Sequence, residues 1–371
     1  MRIRDIKVRV FNYRSNIVRD DEGHTHPGEE HDARSALLTI TADDGSEGHC
    51  FGPVRPQVVQ EYVQPLVVGE DPYDREKIWQ HMAHNQRGSG GAVNDRVLAT
   101  VEMALWDLAG RKLKLPVYKL LGGYRDRVPA YGSTMCGDEL RGGLATPEDY
   151  GRFAEWLVKR GYPAIKLHTW MPPVSFAPDP RMDVKACAAV REAAGPDIAL
   201  MIDSYHGYSR EECYYLGREL EKLDFYWFEE PMDEHKVSSY VWLAEQLSIP
   251  VLGPESAEGK MHTRAEWIVR KASDMTRAGV MDVGGIGPTM KIAHLAESHG
   301  IACEIHSPGA GNLHVLGAMG IPGKFYERGL LHPFIDYEAP PPWLNSLDDP
   351  MDQDGFVPVP QGHGLGEDIN F

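Results

Sequence analysis

Cysteine is scarce in this 371-residue chain: the five, Cys50, Cys136, Cys187, Cys213 and Cys303, are odd in number, widely spaced and never arranged as Cys-x-x-Cys. That pattern argues against a disulfide framework and against a thiolate zinc site. Long apolar runs are missing too. Arg2, Arg4, Asp5, Lys7 and Arg9 interrupt what would have to be a signal core, and nowhere do about 18 uncharged apolar residues follow one another. The expected location is cytoplasmic, with no membrane partner. Positive charge is also in deficit: 38 basic residues stand against 55 acidic ones, a formal charge of −17 at pH 7. Such a surface repels a phosphate backbone, so nucleic acid is not an expected partner. An anionic substrate stays open, because a bound divalent cation can reverse the field in its own site.

What is present is an ordinary globular composition, 42% hydrophobic and 25% charged, long enough for one large barrel and a smaller domain. Residues 1–125 mix strand and helix signals. Ile6, Val8 and Val10 alternate with Lys7 and Arg9, and a second strand at 36–41 runs into the turn Asp43-Asp44-Gly45. The polar stretch 15–32 between them has no usable period and is expected to be a long loop of the kind that serves as a lid. From Asn94 onward Leu98, Val101, Leu105 and Trp106 recur at helical spacing until Pro116. Past Val128 short apolar runs alternate with amphipathic stretches, giving candidate strands at 129–134, 163–168, 199–204, 225–230, 250–255, 275–279, 302–306 and 324–328. Residues 126–335 are therefore expected to form a TIM-like (β/α) barrel, with an open doubly wound sheet as the alternative. Polar residues at the ends of the runs favour the barrel, whose chemistry sits at the C-terminal ends of its strands. Residues 336–371, rich in Pro, Gly and Asp, are expected to pack back and complete an N-terminal α+β capping domain.

Asp203, Glu229 and Glu255 each close an apolar run, and each follows the last by 26 residues, so they occupy equivalent positions on consecutive strands. Carboxylates converging at one rim repel one another unless a hard cation neutralises them, and all-oxygen ligation favours Mg2+ or Mn2+ over zinc. Solvated surface acids are the plain alternative. Lys166 and His168, two apart on the run 163–168, point to the same side.

The order Lys166-x-His168, Asp203, Glu229-Glu230-Pro231, Glu255 and His306 resembles the mandelate racemase subgroup of the enolase superfamily. The helix segment 104–112, Leu120-Leu121-Gly122-Gly123 and Gly284-Gly285-Ile286 add to the resemblance, which covers nearly the whole chain. It implies that Asp203, Glu229 and Glu255 bind Mg2+, that Lys166 and His168 fill the base motif with His306 facing them, and that Glu327 donates a hydrogen bond to a substrate carboxylate. It makes Gly284-Gly285-Ile286-Gly287 a βα turn, although the segment also resembles a phosphate cradle without the Walker spacing. The expected partners are a small-molecule carboxylate and further copies of the chain in a homo-oligomer.

Two positions depart from the subgroup. The Asp that relatives place on the sixth strand to pair with the seventh-strand His is here Gly279, so His306 is expected to lack its usual carboxylate, with Asp282 and Glu304 as the nearby substitutes. His168 stands where a second Lys is usual, followed by a Pro-rich insertion from Trp170 to Pro180 expected to shape the pocket. Tyr205 and His206 either touch substrate or brace the metal site; His24 and His26 either close over the substrate or are solvated. Arg277 and Glu304 are expected to pair inside the barrel. A weakly partnered His306 suits a dehydratase acting on an acid sugar, an aldonate or aldarate, better than a racemase, epimerase or lactone cycloisomerase, which are the near alternatives. A sugar-acid binding protein without turnover is the distant one.

Overall fold

The structure, a computed structural model, describes residues 1–21, 23–320 and 323–370. Its N-terminal sheet is antiparallel in the order β1 (Ile3–Arg19), β2 (Thr25–Ala42) and β3 (Glu47–Phe51). Pairing continues from Ile3↔Ala42 out to Arg19↔Thr25, so the stretch 15–32 is the outer half of a hairpin and not the long loop expected. Its periodicity is hidden because, apart from His24 and Thr25 at the tip, it buries little: Ile17 is 39% and Val18 36% exposed. Val10 is 47% exposed, and ion pairs from Arg14 to Glu30 and Asp32 take the place of apolar cross-strand contacts. After short helical turns over 56–67 come two longer helices, α1 (Arg75–Asn85) and α2 (Asp95–Leu113). Asn94 starts α2 by accepting the Val97 N–H at 3.1 Å, where the helical spacing placed its beginning. The helix lies so close on β3 that a Cβ at Gly48 would come 2.2 Å from the Ala104 carbonyl oxygen.

The second sheet runs β4 (Arg127–Thr134), β5 (Ala164–His168), β6 (Ala199–Asp203), β7 (Trp227–Glu229), β8 (Val251–Leu252), β9 (Met275–Ala278) and β10 (Ala302–Ile305), all parallel and each beside the next. β11 (Tyr326–Leu331) pairs with β4, so the last strand returns to the first and the doubly wound alternative falls away. Helices α3 (Pro147–Arg160), α4 (Pro180–Ala194), α5 (Arg210–Lys222), α6 (Val237–Gln246), α7 (Lys260–Arg270), α8 (Ile286–His299) and α9 (Ala310–Ala318) alternate with the strands. Inside the ring Tyr131, Ala164, Met201, Trp227, Leu252, Met275 and Phe325 form a separate apolar cluster. On β5, β6, β7 and β9 the strand period of two then raises Lys166, Asp203, Glu229 and Arg277 to the layer above this floor. The fold is a modified TIM barrel with an N-terminal α+β capping domain.

One joint of the ring differs from the rest. No ladder hydrogen bond joins β10 to β11 among the described residues. There the buried carboxylate of Glu304 accepts the N–H groups of Lys324 at 3.0 Å and Phe325 at 3.3 Å. The expected Arg277–Glu304 pair is therefore not formed: Glu304 is drawn to the joint, and Arg277 is drawn up to the carboxylates of the rim.

A second contact joins the capping unit to the barrel. Glu102 of α2 accepts the N–H groups of Ile286 at 2.8 Å and Gly287 at 2.9 Å, at the N-terminus of α8. The turn that resembled a phosphate cradle is thus filled by a carboxylate of the same chain, as the dipole of a helix N-terminus favours. Beyond the barrel the chain turns back. Trp343 packs on Phe11, Tyr13 and Phe51, β12 (Phe356–Pro358) pairs with β4, and the Leu365 N–H donates to Asp107 of α2 at 2.8 Å. No helix among the described residues is long and apolar enough to cross a membrane.

Candidate active site

A cavity of about 1010 Å3 lies over the C-terminal ends of the barrel strands and reaches the tip of the β1–β2 hairpin. Lys166, His168, Asp203, Glu255, His306 and Glu327 line it, with His24, Tyr205 and His206. One carboxylate oxygen each from Asp203, Glu229 and Glu255 lies within 4.8 Å of the other two, and all three residues are buried. Three buried carboxylates with only oxygen to offer are a donor set for a hard divalent cation, so the residues fit Mg2+.

Two buried cations, Lys166 and Arg277, stand among the more numerous carboxylates of this layer. Lys166 Nζ lies 3.2 Å from Asp203, 3.1 Å from Glu229 and 3.0 Å from Glu327. Arg277 Nε lies 2.7 Å from Glu229, and its Nη2 2.8 Å from Glu327. Burial opposes the charge on Lys166, but Glu229 and Glu327 hold its ammonium well above the ordinary lysine range. Burial likewise dominates Glu229, whose carboxyl stands at about 7 despite Arg277 and Lys166. Glu327 is different: against burial, Lys166 and Arg277 keep it well below the usual range, and it accepts the Ser307 N–H at 2.8 Å. Glu327 is thereby held between Lys166, Arg277 and the Ser307 backbone at the cavity wall.

His168 is fixed from both sides. Its Nδ1 lies 2.6 Å from the Thr134 carbonyl, which can only accept, so Nδ1 carries a proton and Nε2 is turned to Asp203 Oδ2 at 3.0 Å. Tyr205 lies against this imidazole with ring centroids 4.7 Å apart, and its backbone N–H reaches Asp203 Oδ1 at 3.0 Å.

His306 does not lack a carboxylate. Its Nδ1 lies 2.7 Å from Asp282 Oδ2, and its Nε2 3.0 Å from Glu255. A Cβ built on Gly279 would stand 2.4 Å from that same Asp282 oxygen. The absent side chain at 279 is therefore the space the Asp282 carboxylate fills, and orientation of the imidazole is supplied from three residues further along. Burial pulls the His306 imidazolium down, yet Glu255 and Asp282 outweigh it and push the group up to about 9. A His306 paired on both ring nitrogens no longer disfavours a racemase.

Of the remaining expected residues, Trp170 is misplaced. It is 1% exposed, packed on Tyr150 and Phe176 and away from the cavity wall, because the chain after β5 turns its indole into the core. His26 bonds Asp20 at the hairpin tip, while His24 reaches the cavity and packs edge-on against Tyr205. Glu230 belongs to the site as well. It is 1% exposed, lies on the cavity wall 3.4 Å from His206, and its Oε2 has no hydrogen-bond partner. The doubled acid Glu229-Glu230 was the signal for it. Arg277 belongs to the rim too, paired to Glu229 and Glu327 in place of the expected Glu304.

Residues 14–122 match the family model for the mandelate racemase / muconate lactonizing enzyme N-terminal domain, and residues 149–371 match the enolase C-terminal domain-like model. A crystal structure of D-glucarate dehydratase from Agrobacterium tumefaciens complexed with magnesium superposes with a TM-score of 0.98 at 60% identity, covering 100% of this chain and 97% of that one. D-galactarolactone cycloisomerase of Agrobacterium fabrum is 30% identical over 90% of this chain and 88% of its own. Arabinonate dehydratase of Saccharolobus solfataricus is 32% identical over 79% of each. With both domains matched over most of its length, this chain belongs to the mandelate racemase / muconate lactonizing enzyme family of the enolase superfamily.

Proposed function

We propose that this enzyme is a Mg2+-dependent hydro-lyase that removes water from an acid sugar to give a 2-keto-3-deoxy acid, and that its substrate is a six-carbon aldarate of the glucarate type. The observation that carries the reading is the pair of facing groups above three metal-fitting carboxylates: Lys166 and His168 on β5, and His306 with Asp282 beside β10. The 60% identity to an enzyme described as D-glucarate dehydratase supports the substrate class.

Asp203, Glu229 and Glu255 would hold Mg2+, which when bound supplies fixed positive charge beside the substrate carboxylate. With Asp203 and Glu229 engaged by the cation, Lys166 would lose partners that hold its ammonium charged, and the α-proton would pass to its free amine or to Nε2 of His168. Across the cavity, His306 keeps one proton on Nδ1 against Asp282 and gives the other from Nε2 to the β-hydroxyl, which leaves as water. Arg277 fixes Glu229 and Glu327, so the rim does not reorganise during the reaction.

The test is a screen of the purified protein with Mg2+ against aldonates and aldarates, following 2-keto acid and, in D2O, α-proton exchange. Glucarate or an epimer should yield keto acid, EDTA should stop it and Mg2+ restore it. Glu255→Gln should be inactive with an unchanged circular dichroism spectrum. Exchange with inversion or lactone isomerisation but no loss of water would replace the dehydratase reading by an isomerase, for which the 30% identical cycloisomerase is the precedent.

A further inference from the structure

We infer that the tip of the β1–β2 hairpin binds one transition-metal ion of the Zn2+ class through Asp20, His24 and His26, at a site sharing no ligand with the barrel carboxylates. The strand pattern brings these three residues together. His24 and His26 flank Thr25, so the period of two puts both imidazoles on one face. Arg19 pairs with Thr25 and the Asp20 N–H donates to the His24 carbonyl at 3.0 Å, which places Asp20 directly opposite His24 and diagonal to His26.

The donor atoms already converge. Asp20 Oδ2 is 3.1 Å from His24 Nδ1 and 3.1 Å from His26 Nε2, and the three atoms all lie within 4.8 Å of one another. Around a tetrahedral zinc with bonds of about 2.0–2.2 Å, ligand atoms stand roughly 3.4 Å apart, so small side-chain rotations admit the ion. The other carboxylate oxygen, Oδ1, accepts the His24 backbone N–H at 2.9 Å and so sets the plane in which Oδ2 is presented. Two imidazoles and one carboxylate select Zn2+, Co2+ or Ni2+ over Mg2+, the reverse of the all-oxygen set in the barrel. Three protein ligands leave a fourth position for water. The His24 ring packs at 4.9 Å on Tyr205, which in turn lies on His168, so an ion here would tie the two strand ends of the tip together over the barrel mouth.

The untagged protein, held in excess Mg2+ to occupy the barrel carboxylates, is titrated with Co2+ and followed by visible d–d absorption. One saturating equivalent per chain is expected. His26→Ala and His24→Ala should each weaken it by at least the roughly 10–100-fold that loss of an outer-shell partner costs a metal site, while Glu255→Gln leaves the band in place. X-ray absorption on the wild-type protein with one equivalent of Zn2+ does not depend on any variant folding and should show imidazole scattering. An absence of saturation, a band kept in His26→Ala or lost in Glu255→Gln, or an all-oxygen zinc shell overturns the proposal.

Discussion

Gly279 and Asp282 show how a single residue can look like a defect in sequence and be an accommodation in space. The carboxylate of Asp282 lies 2.4 Å from where a Cβ at 279 would be, and 2.7 Å from His306 Nδ1. Asp282→Asn should leave the fold intact and lower turnover by roughly 10²–10⁴-fold, the range of a general acid or base, because the amide no longer fixes the Nδ1 proton. Gly279→Ala should give a similar loss with both functional groups still present, since the new methyl group must push Asp282 aside and also crowds the His306 carbonyl at 2.9 Å. A Gly279→Ala variant with wild-type kcat would show that the carboxylate is not an orienting group. In D2O, His306→Asn should still exchange the α-proton while forming little keto acid. If it abolishes exchange and the β5 variants retain it, the two sides of the cavity have the opposite roles. The motif spacing exposed the empty place after β9 and offered Asp282 and Glu304 as substitutes, but could not choose between them, because spacing carries no information on contacts made through space.

At the scale of elements, the barrel strands were legible because each is a short apolar run closed by a polar residue, and α2 because its buried face repeats at helical spacing. The outer hairpin was not, since Arg14, Glu30 and Asp32 stabilise it through pairing that leaves no apolar alternation. Trp170 misled for the opposite reason: an aromatic residue just past a strand end reads as a pocket wall, and only packing on Tyr150 shows it to be core. The junction of α2 with α8 has a pH dependence of its own. Burial raises the Glu102 carboxyl from an ordinary 4.5 to about 7, against the lowering effect of the Gly287 and Ile286 N–H groups. A carboxyl that holds its proton more tightly when folded contributes stability that is lost as pH rises from about 4.5 to about 7. Glu102→Gln removes that slope, so the melting temperature of the wild type relative to the variant should fall between pH 5 and pH 8, by roughly 2 °C or more. Calorimetry giving a constant or widening difference would refute it.

For the whole molecule, β3 and the C-terminal segment meet on α2. Asp107 accepts the His49 N–H from β3 at 2.8 Å, the Arg111 guanidinium of its own helix at 2.6 Å and the Leu365 N–H of the tail at 2.8 Å. The capping sheet, the helix that meets the barrel and the last residues are thus linked through one buried carboxylate, whose removal leaves those backbone donors without a partner. The ring itself is fastened unevenly. A hoop whose staves are joined by backbone ladders, except at one joint closed by the side chain of Glu304, has a preferred place to breathe. Local opening should begin at the β10–β11 edge and leave the metal-fitting carboxylates of β6 and β7 undisturbed. Native-state hydrogen exchange reads this directly. In Glu304→Gln the amides of Lys324 and Phe325 should exchange at least about tenfold faster, as expected when a hydrogen bond to a charged group is weakened, with β5 to β7 unchanged. Uniform acceleration around the ring would mean that the barrel opens as one piece and that the joint is as tight as any other.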